Sequence, residues 1–419
     1  MSLDCFPVPG GGVMKVKIGI TAPLVIRGGQ AYLRLPCFSG RNFTVSPELE
    51  HKVWAECKTP LSAGSEALTA ERPSNDVYAV RGVLLDTELQ DPKKALIWLP
   101  APPLGGSVVT GALGAFSAAM SLYEFKKVES PAVALVVDGS VSMSRASIDW
   151  TAVVDALPPS AEILAIHAGR TVSVWKEDFT QSADGLAEWL SSQKYEGGCD
   201  PVPALEMAWE RVSAKPDAAI LWIHGPLPIT LSPMDGMEQW YKRRPMCANG
   251  VPVRLLSLQV LPGPNRVAES FASWTGFERV PMLASVDESL AYAATHLASQ
   301  DAGRSYVLTE NVGEGANSLD HVVRLAVFEE VCKACRGDAA IDKDAALKRA
   351  VRTRIVTPVS GAVVLENKSQ YEQHGLDPGE NLNAIPVIPE PEEWALIAVA
   401  ALALAVMYRK RRKVGVHNA

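Results

Sequence analysis

Between residues 131 and 300, short apolar runs alternate with stretches whose apolar positions recur at helical spacing. The runs at 132–137, 162–167, 171–176, 218–224, 252–260 and 278–283 are predicted strands. The stretches at 147–156, 184–193, 202–213, 265–273 and 286–298 are predicted helices. The first run, Ala132 to Val137, is six apolar residues rich in valine, as expected of a parallel strand covered on both faces. Strands alternating with helices in this order predict a doubly wound α/β sheet.

The flanking regions are patterned differently. Residues 1–104 alternate with period two from Met14 to Thr21 and from Ala31 to Pro36, with further strand candidates at 77–85 and 95–99. Gly and Pro breaks separate these segments, so the region is expected to be antiparallel and sandwich-like. Residues 105–130 are rich in small residues and read as a linker. Residues 317–354 read as helical and 354–366 as a strand, so 301–366 is expected to pack back on the β region. Residues 367–393 carry Gly375, Pro378, Gly379, Pro386, Pro389 and Pro391 and read as an exposed stalk.

Composition narrows the function classes. The chain has 419 residues, enough for two or three domains, and a formal net charge of −7 with no basic stripe in its body. Nucleic-acid binding, which needs clustered Lys and Arg, is therefore excluded as an expectation. Seven irregularly spaced cysteines argue against a disulfide scaffold. Cys332 and Cys335 form a single CxxC within a predicted helix and read as two thiols on one helical turn. The chain contains no GxSxG, HExxH or P-loop pattern. His167 reads as a solvated or core-edge histidine, Trp222 and Trp240 as packing residues, and Lys242-Arg243-Arg244 as a solvated charge run in a loop.

The most specific chemistry lies where the first buried strand ends. Asp138-Gly139-Ser140-Val141-Ser142 puts one carboxylate and two hydroxyls on a tight loop at the carboxyl edge of the sheet, where ligands of such sheets bind. Hard oxygens in this arrangement suit Mg²⁺. The spacing resembles the metal-ion-dependent adhesion site of von Willebrand factor A domains. That resemblance implies a Thr in a Gly-Gly-Thr-Asp type loop and an Asp ending the next buried strand. Here Cys199 stands in the first place, within Gly197-Gly198-Cys199-Asp200, and His224 in the second. Thiol and imidazole are softer ligands that match Mg²⁺ poorly. Three outcomes stay open: a degenerate site without metal; a weak Mg²⁺ or Ca²⁺ site using Asp138, Ser140, Ser142 and Asp200; or a zinc centre built from Asp138, Cys199 and His224. In the metal-free case His224 is expected to hydrogen-bond Asp138, with its pKa raised by the carboxylate.

The C-terminal end adds a second signal. Residues 394–408 are uncharged and apolar, bracketed by Trp394 and Tyr408, and Arg409-Lys410-Arg411-Arg412-Lys413 follows. As a helix this stretch spans about 22 Å, short of the ~30 Å hydrocarbon core. With Pro389, Glu390 and Pro391 upstream, the order resembles the PEP-CTERM sorting signal of Gram-negative bacteria. The resemblance implies processing by an exosortase-type enzyme and association with the cell surface. The basic cluster is expected to stay cytoplasmic, which places the body outside. The first residues lack the charged and apolar regions of a signal peptide, so the chain is expected to be part of a longer polypeptide or to carry an internal insertion signal.

The region around Pro7 to Thr21 resembles the start of a vault/inter-alpha-trypsin (VIT) domain, a type that often precedes A domains. Together these readings predict a VIT-like β domain (1–104), a linker (105–130), an A-like domain (131–300), a returning helix and strand (301–366), a stalk (367–393) and a membrane or sorting tail (394–413). The expected function is interaction or adhesion at the surface of a bacterial inner membrane, with a protein or polysaccharide ligand and no enzymatic activity. The rival expectation is a zinc-type enzyme or sensor centred on Asp138, Cys199 and His224.

Overall fold

The computed structural model describes residues 18–38, 41, 44–102, 108–122, 128, 131–272, 274–298, 304–310, 320–335 and 342–357. The chain divides into residues 1–360 and 361–419. The second unit, with Pro389, Glu390, Pro391 and the 394–413 tail, lies outside the described residues. Among the described residues no helix is long and apolar enough to cross a membrane.

The N-terminal region folds as two antiparallel sheets. One has the order β1-β2-β7-β4, built from β1 (Val25–Arg27), β2 (Gln30–Arg34), β4 (Ser62–Ala63) and β7 (Leu96–Pro100). The other has the order β3-β6-β5, with β3 (Glu50–Cys57), β5 (Leu68–Ser74) and β6 (Val77–Leu85). Leu68, Val80 and Leu84 from one sheet share a buried core with Ile97 and Ala63 from the other. The predicted strand at 77–85 matches β6, and that at 95–99 matches β7 to within a residue. Of the predicted strand at Met14 to Thr21, residues 18–21 have no regular structure and the rest lie outside the described residues.

A buried carboxylate ties this region together. Asp86 is 4% exposed. The Arg41 guanidinium donates to both its oxygens at 2.8 Å, and His51 and Gln90 each meet it at 2.9 Å. These donors, Arg41 foremost, hold the Asp86 carboxyl well below the usual carboxylate range.

The segment expected to be a linker instead carries β8 (Val108–Leu113) and β9 (Phe116–Leu122). They form a hairpin, and β9 pairs on its other side with β16 (Arg304–Glu310). Phe116 and Ala118 face the helix Asp320–Cys335 through Val323, Val327 and Val331. The small residues that suggested a linker are the shallow, alternating face on which this helix lies. The predicted helical stretch 317–354 contains two helices, Asp320–Cys335 and Lys343–Arg352. Residues 354–357 are irregular rather than extended, and the remainder of the predicted 354–366 strand lies outside the described residues.

Between β9 and β16 lies the doubly wound domain. Its six strands are β10 (Ala132–Asp138), β11 (Glu162–Ala168), β12 (Val172–Val174), β13 (Ala219–His224), β14 (Arg254–Gln259) and β15 (Phe277–Arg279). Their order is β12-β11-β10-β13-β14-β15, parallel except for the antiparallel edge strand β12. Every residue of β10 and β13 is buried, because helices cover both faces. Leu205, Trp209, Met237 and Ala268 cover one face, and Val153, Leu190, Leu290 and Leu297 cover the other. The helix Val202–Ser213 has its predicted bounds. Lys242 and Arg243 close the helix Asp235–Arg243 instead of lying in a loop, where their charge suits the negative end of the helix dipole.

Asp86→Ala is expected to cost about 2 kcal/mol, because half-buried Arg41 loses its paired, charge-assisted hydrogen bonds. Urea unfolding followed by far-ultraviolet circular dichroism checks this. The Asp86 contribution is present above a pH of about 3.9 and falls away below it, since the folded-state pKa is the lower one. A variant as stable as the parent would show that the Asp86 cluster is not a keystone of the sandwich.

Candidate functional site

The carboxyl ends of β10 and β13, the two central strands, set the site. Their register pairs Val137 with Ile223, so Asp138 and His224 follow at the same level. Asp138 has no exposed surface. One carboxylate oxygen accepts the Ser140 backbone N–H at 3.0 Å and the Ser140 hydroxyl at 2.6 Å, and the other accepts the Gly225 N–H at 3.3 Å. The Ser140 hydroxyl in turn accepts the Cys199 N–H at 3.3 Å. The loop is therefore joined by protein hydrogen bonds to both the 197–200 loop and the end of β13.

Two glycines make this closeness possible. A Cβ on Gly139 would lie 2.7 Å from the Ala168 carbonyl oxygen on β11, and one on Gly225 would lie 2.7 Å from the Ser142 hydroxyl. Ser142 Oγ is itself buried and, among the described residues, has no hydrogen-bond partner. Burial raises the pKa of Asp138 above the usual carboxylate value, and the bonds from Ser140 and Gly225 only partly offset this.

Neither the Cys199 nor the His224 side chain bonds to Asp138. Cys199 Sγ donates to the Glu196 carbonyl at 3.2 Å, and burial together with the nearby Asp138 pushes its thiol pKa up. A thiol held protonated is a poor metal ligand. His224 does not form the expected hydrogen bond with Asp138. Its ring stacks on Trp222 with centroids 3.9 Å apart and turns toward β14, where Nε2 lies 2.7 Å from the Ser257 hydroxyl. Trp222 lies two residues earlier on the same strand face and fills the space beneath the ring. The Gly225 N–H takes the place at Asp138 that the imidazole was expected to occupy.

The proton on His224 can be assigned from its neighbours. Asn265 caps the helix Arg266–Ser270 by accepting the Ala268 N–H through Oδ1 at 2.8 Å. That fixes its amide nitrogen toward His224 Nδ1, at 2.8 Å, and toward the Gly225 carbonyl, at 3.2 Å. His224 Nδ1 must then accept, so Nε2 carries the proton and donates it to Ser257. The 2.9 Å approach of Nδ1 to the Gly225 carbonyl is a close contact of two acceptors sharing the Asn265 amide. A second proton on the ring has no room. Complete burial lowers the His224 pKa to about 3, the reverse of the expected shift.

These residues do not build the expected metal centre. Among the described residues no group of three or more His, Cys, Asp or Glu side chains is placed to hold a metal. Asp138, Cys199 and His224 each engage a different partner and do not converge on one point in this arrangement. Asp200 accepts the Val202 N–H at 3.1 Å and serves the start of its helix. The hard oxygens left at the loop are those of Asp138, Ser140 and Ser142, a set with a single carboxylate. A tightly held Mg²⁺ or Ca²⁺ is favoured by more charged oxygens than this.

Ser257 and Asn265 were not singled out from the sequence. Ser257 interrupts an otherwise apolar strand, and Asn265 directly precedes a helix, a cap signal. His167 is 4% exposed, packs edge-on against Tyr195, and leaves Nε2 without a hydrogen-bond partner. Trp222 is fully buried and Trp240 packs against the same core, both as expected.

No protein-family model matches the chain, and no curated protein sequence matches it. Among solved structures the chain is similar to a von Willebrand factor type A protein from Catenulispora acidiphila, with a TM-score of 0.32 and 11% identity over 46% of this chain and 46% of that one. It is also similar to the SpRpn10 VWA domain, at 0.27 and 10% identity over 38% of this chain and 93% of that domain. A third is the open conformation of the pilus adhesin SpaC from Lactobacillus rhamnosus GG, at 0.29 and 11% identity over 46% and 33%. The chain thus spans less than half the length of the first and about a third of the last.

His224 makes folding pH-dependent with a definite sign. Its folded pKa of about 3 lies below the unfolded value, so its contribution is complete above about pH 6.5 and is lost as pH falls toward 3. The buried His167, also shifted down, acts in the same direction, while Asp138, shifted up, opposes both at lower pH. Between pH 6.5 and 5.0 the His224 term amounts to about 2 kcal/mol of unfolding free energy. Denaturant unfolding at both pH values should show a shallower pH dependence in His224→Gln than in the parent. Equal slopes would mean that His224 is not held neutral.

Proposed function

We propose that this chain is a membrane-anchored interaction or adhesion protein whose A-like domain faces outward and uses its Asp138 loop as a closed, metal-free scaffold. The observation that carries the reading is the self-contained bonding of Asp138 to Ser140 and Gly225 at the carboxyl edge of the sheet. The loops leaving that edge expose apolar side chains, with Val141 54%, Ile229 65% and Leu231 53% accessible. Apolar groups on loops beside a rigid sheet edge suit contact with another macromolecule rather than chemistry on a small substrate. The N-terminal sandwich is read as VIT-like. Pro389, Glu390 and Pro391, the apolar 394–408 stretch and the basic 409–413 cluster support anchoring, exosortase-type processing and an extracytoplasmic body.

Protease added to intact spheroplasts should digest residues 1–385 and spare the 394–413 segment. Complete protection of the body would overturn the outward orientation. For the metal, 1 mM Mg²⁺ should leave the melting temperature of the parent unchanged, since a site with Kd above 10 mM contributes under about 0.1 kcal/mol at that concentration. Cys199→Thr combined with His224→Asp should introduce Mg²⁺-dependent stabilisation. A shift of several degrees in the parent, lost in Asp138→Ala, would show instead that the native loop binds the ion.

A further inference from the structure

A second polar locus lies a strand away from the Asp138 loop. A cleft of about 720 Å³ opens outside the carboxyl ends of β14 and β15 and is closed on its other side by Arg34 and Gln90 of the N-terminal region. Crevices at this edge of open α/β sheets are where such folds hold ligands, and the volume falls in the small-molecule range of roughly 300–1,000 Å³.

Three groups in the cleft donate without a matching acceptor. The β14–β15 register pairs Ser257 with Arg279, which brings the hydroxyl and the guanidinium stem to the same level of the sheet. Ser257 is 3% exposed, and its oxygen takes the proton of His224 Nε2. Its own hydroxyl proton then has no protein acceptor among the described residues, and Ser257 lines the cleft. Arg279 has no carboxylate within ion-pair distance among the described residues. Half-buried Arg34 spends one N–H on the Gln90 carbonyl, at 3.3 Å, and keeps the others.

The acids of the lining do not cancel these donors. Asp149 is exposed and already accepts the Thr151 and Ala152 N–H groups at the start of its helix. Asp287 is exposed in the first turn of the helix Val286–Leu297, where the helix dipole stabilises its charge. Val260, Leu261 and Met282 give the wall an apolar patch, beside the polar Ser147, Gln259 and Ser285. A ligand matching both parts has an anionic, acceptor-only head and a short hydrocarbon body.

We propose that this cleft binds a small amphipathic carboxylate, its acid group held by Arg34, Arg279 and the Ser257 hydroxyl and its apolar body laid on Val260, Leu261 and Met282. The site is independent of the surface role argued above, since it uses neither the exposed apolar loops nor the tail. Bidentate guanidinium–carboxylate pairing gives it selectivity for planar acids over neutral isosteres.

The test is calorimetric titration of the detergent-solubilised full chain with hexanoate, hexanamide and hexylammonium at matched ionic strength. Hexanoate is expected to bind and the other two not. Arg279→Met, at an exposed position that leaves folding intact, is expected to weaken hexanoate at least tenfold, and Arg34→Met to do the same. Absence of hexanoate binding, an equal response to hexanamide, or an affinity unchanged in Arg279→Met would each overturn the proposal. A melting curve of each variant matching the parent separates lost binding from lost folding.

Discussion

A carboxylate with no exposed surface must find donors or a cation, because an isolated buried charge costs several kcal/mol. Three protein donors meet Asp138. The Ser140 amide and hydroxyl and the Gly225 amide close around it, and that closure decides the rest of the edge. It draws the ends of β10 and β13 together and commits the Ser140 hydroxyl to the 197–200 loop. The place at the carboxylate where the imidazole was expected goes to the backbone of Gly225. The imidazole of His224, excluded from the carboxylate, becomes the centre of a second network on the β14 side.

That second network shows how a substitution that is soft in metal chemistry acts as a hard structural element. Asn265 is oriented by its own helix cap, it orients His224, and His224 orients Ser257. Each member is buried, and each has its proton direction set by the one before. The chain of donors runs one way, from the cap of a short helix to a hydroxyl at the wall of the neighbouring cleft.

The parts legible in the sequence were those where burial on both faces enforces an uninterrupted apolar run. Strands β10, β11 and β13 and the helix Val202–Ser213 fall in this class. The edge strands β12 and β15 are three residues each, shorter than the predicted runs at 171–176 and 278–283, because a half-covered strand does not require apolar residues along its length. Strands β8 and β9 were hidden by composition. Their turn glycine, Gly114, takes a φ of +58°, and their alternation runs through Ala, Ser and Thr, which carry little hydropathy contrast. At the site, the residue types at 138, 140, 142, 199 and 224 were readable, and the direction of the His224 ring was not. That direction depends on Ser257 and Asn265, 33 and 41 residues further along the chain.

The pairing of β9 with β16 has a consequence for how the molecule assembles. Leu122 and Arg304 are register partners, so the chain leaves one strand, builds the whole doubly wound domain, and returns to the strand alongside. Joining those two strands across an unfolded segment of that length would carry a loop-closure penalty of about 4–5 kcal/mol. The folded domain removes the penalty by bringing its own two ends together. The hairpin of β8 and β9 is local, but the third strand joins it at the lowest entropic cost when the inserted domain is already folded.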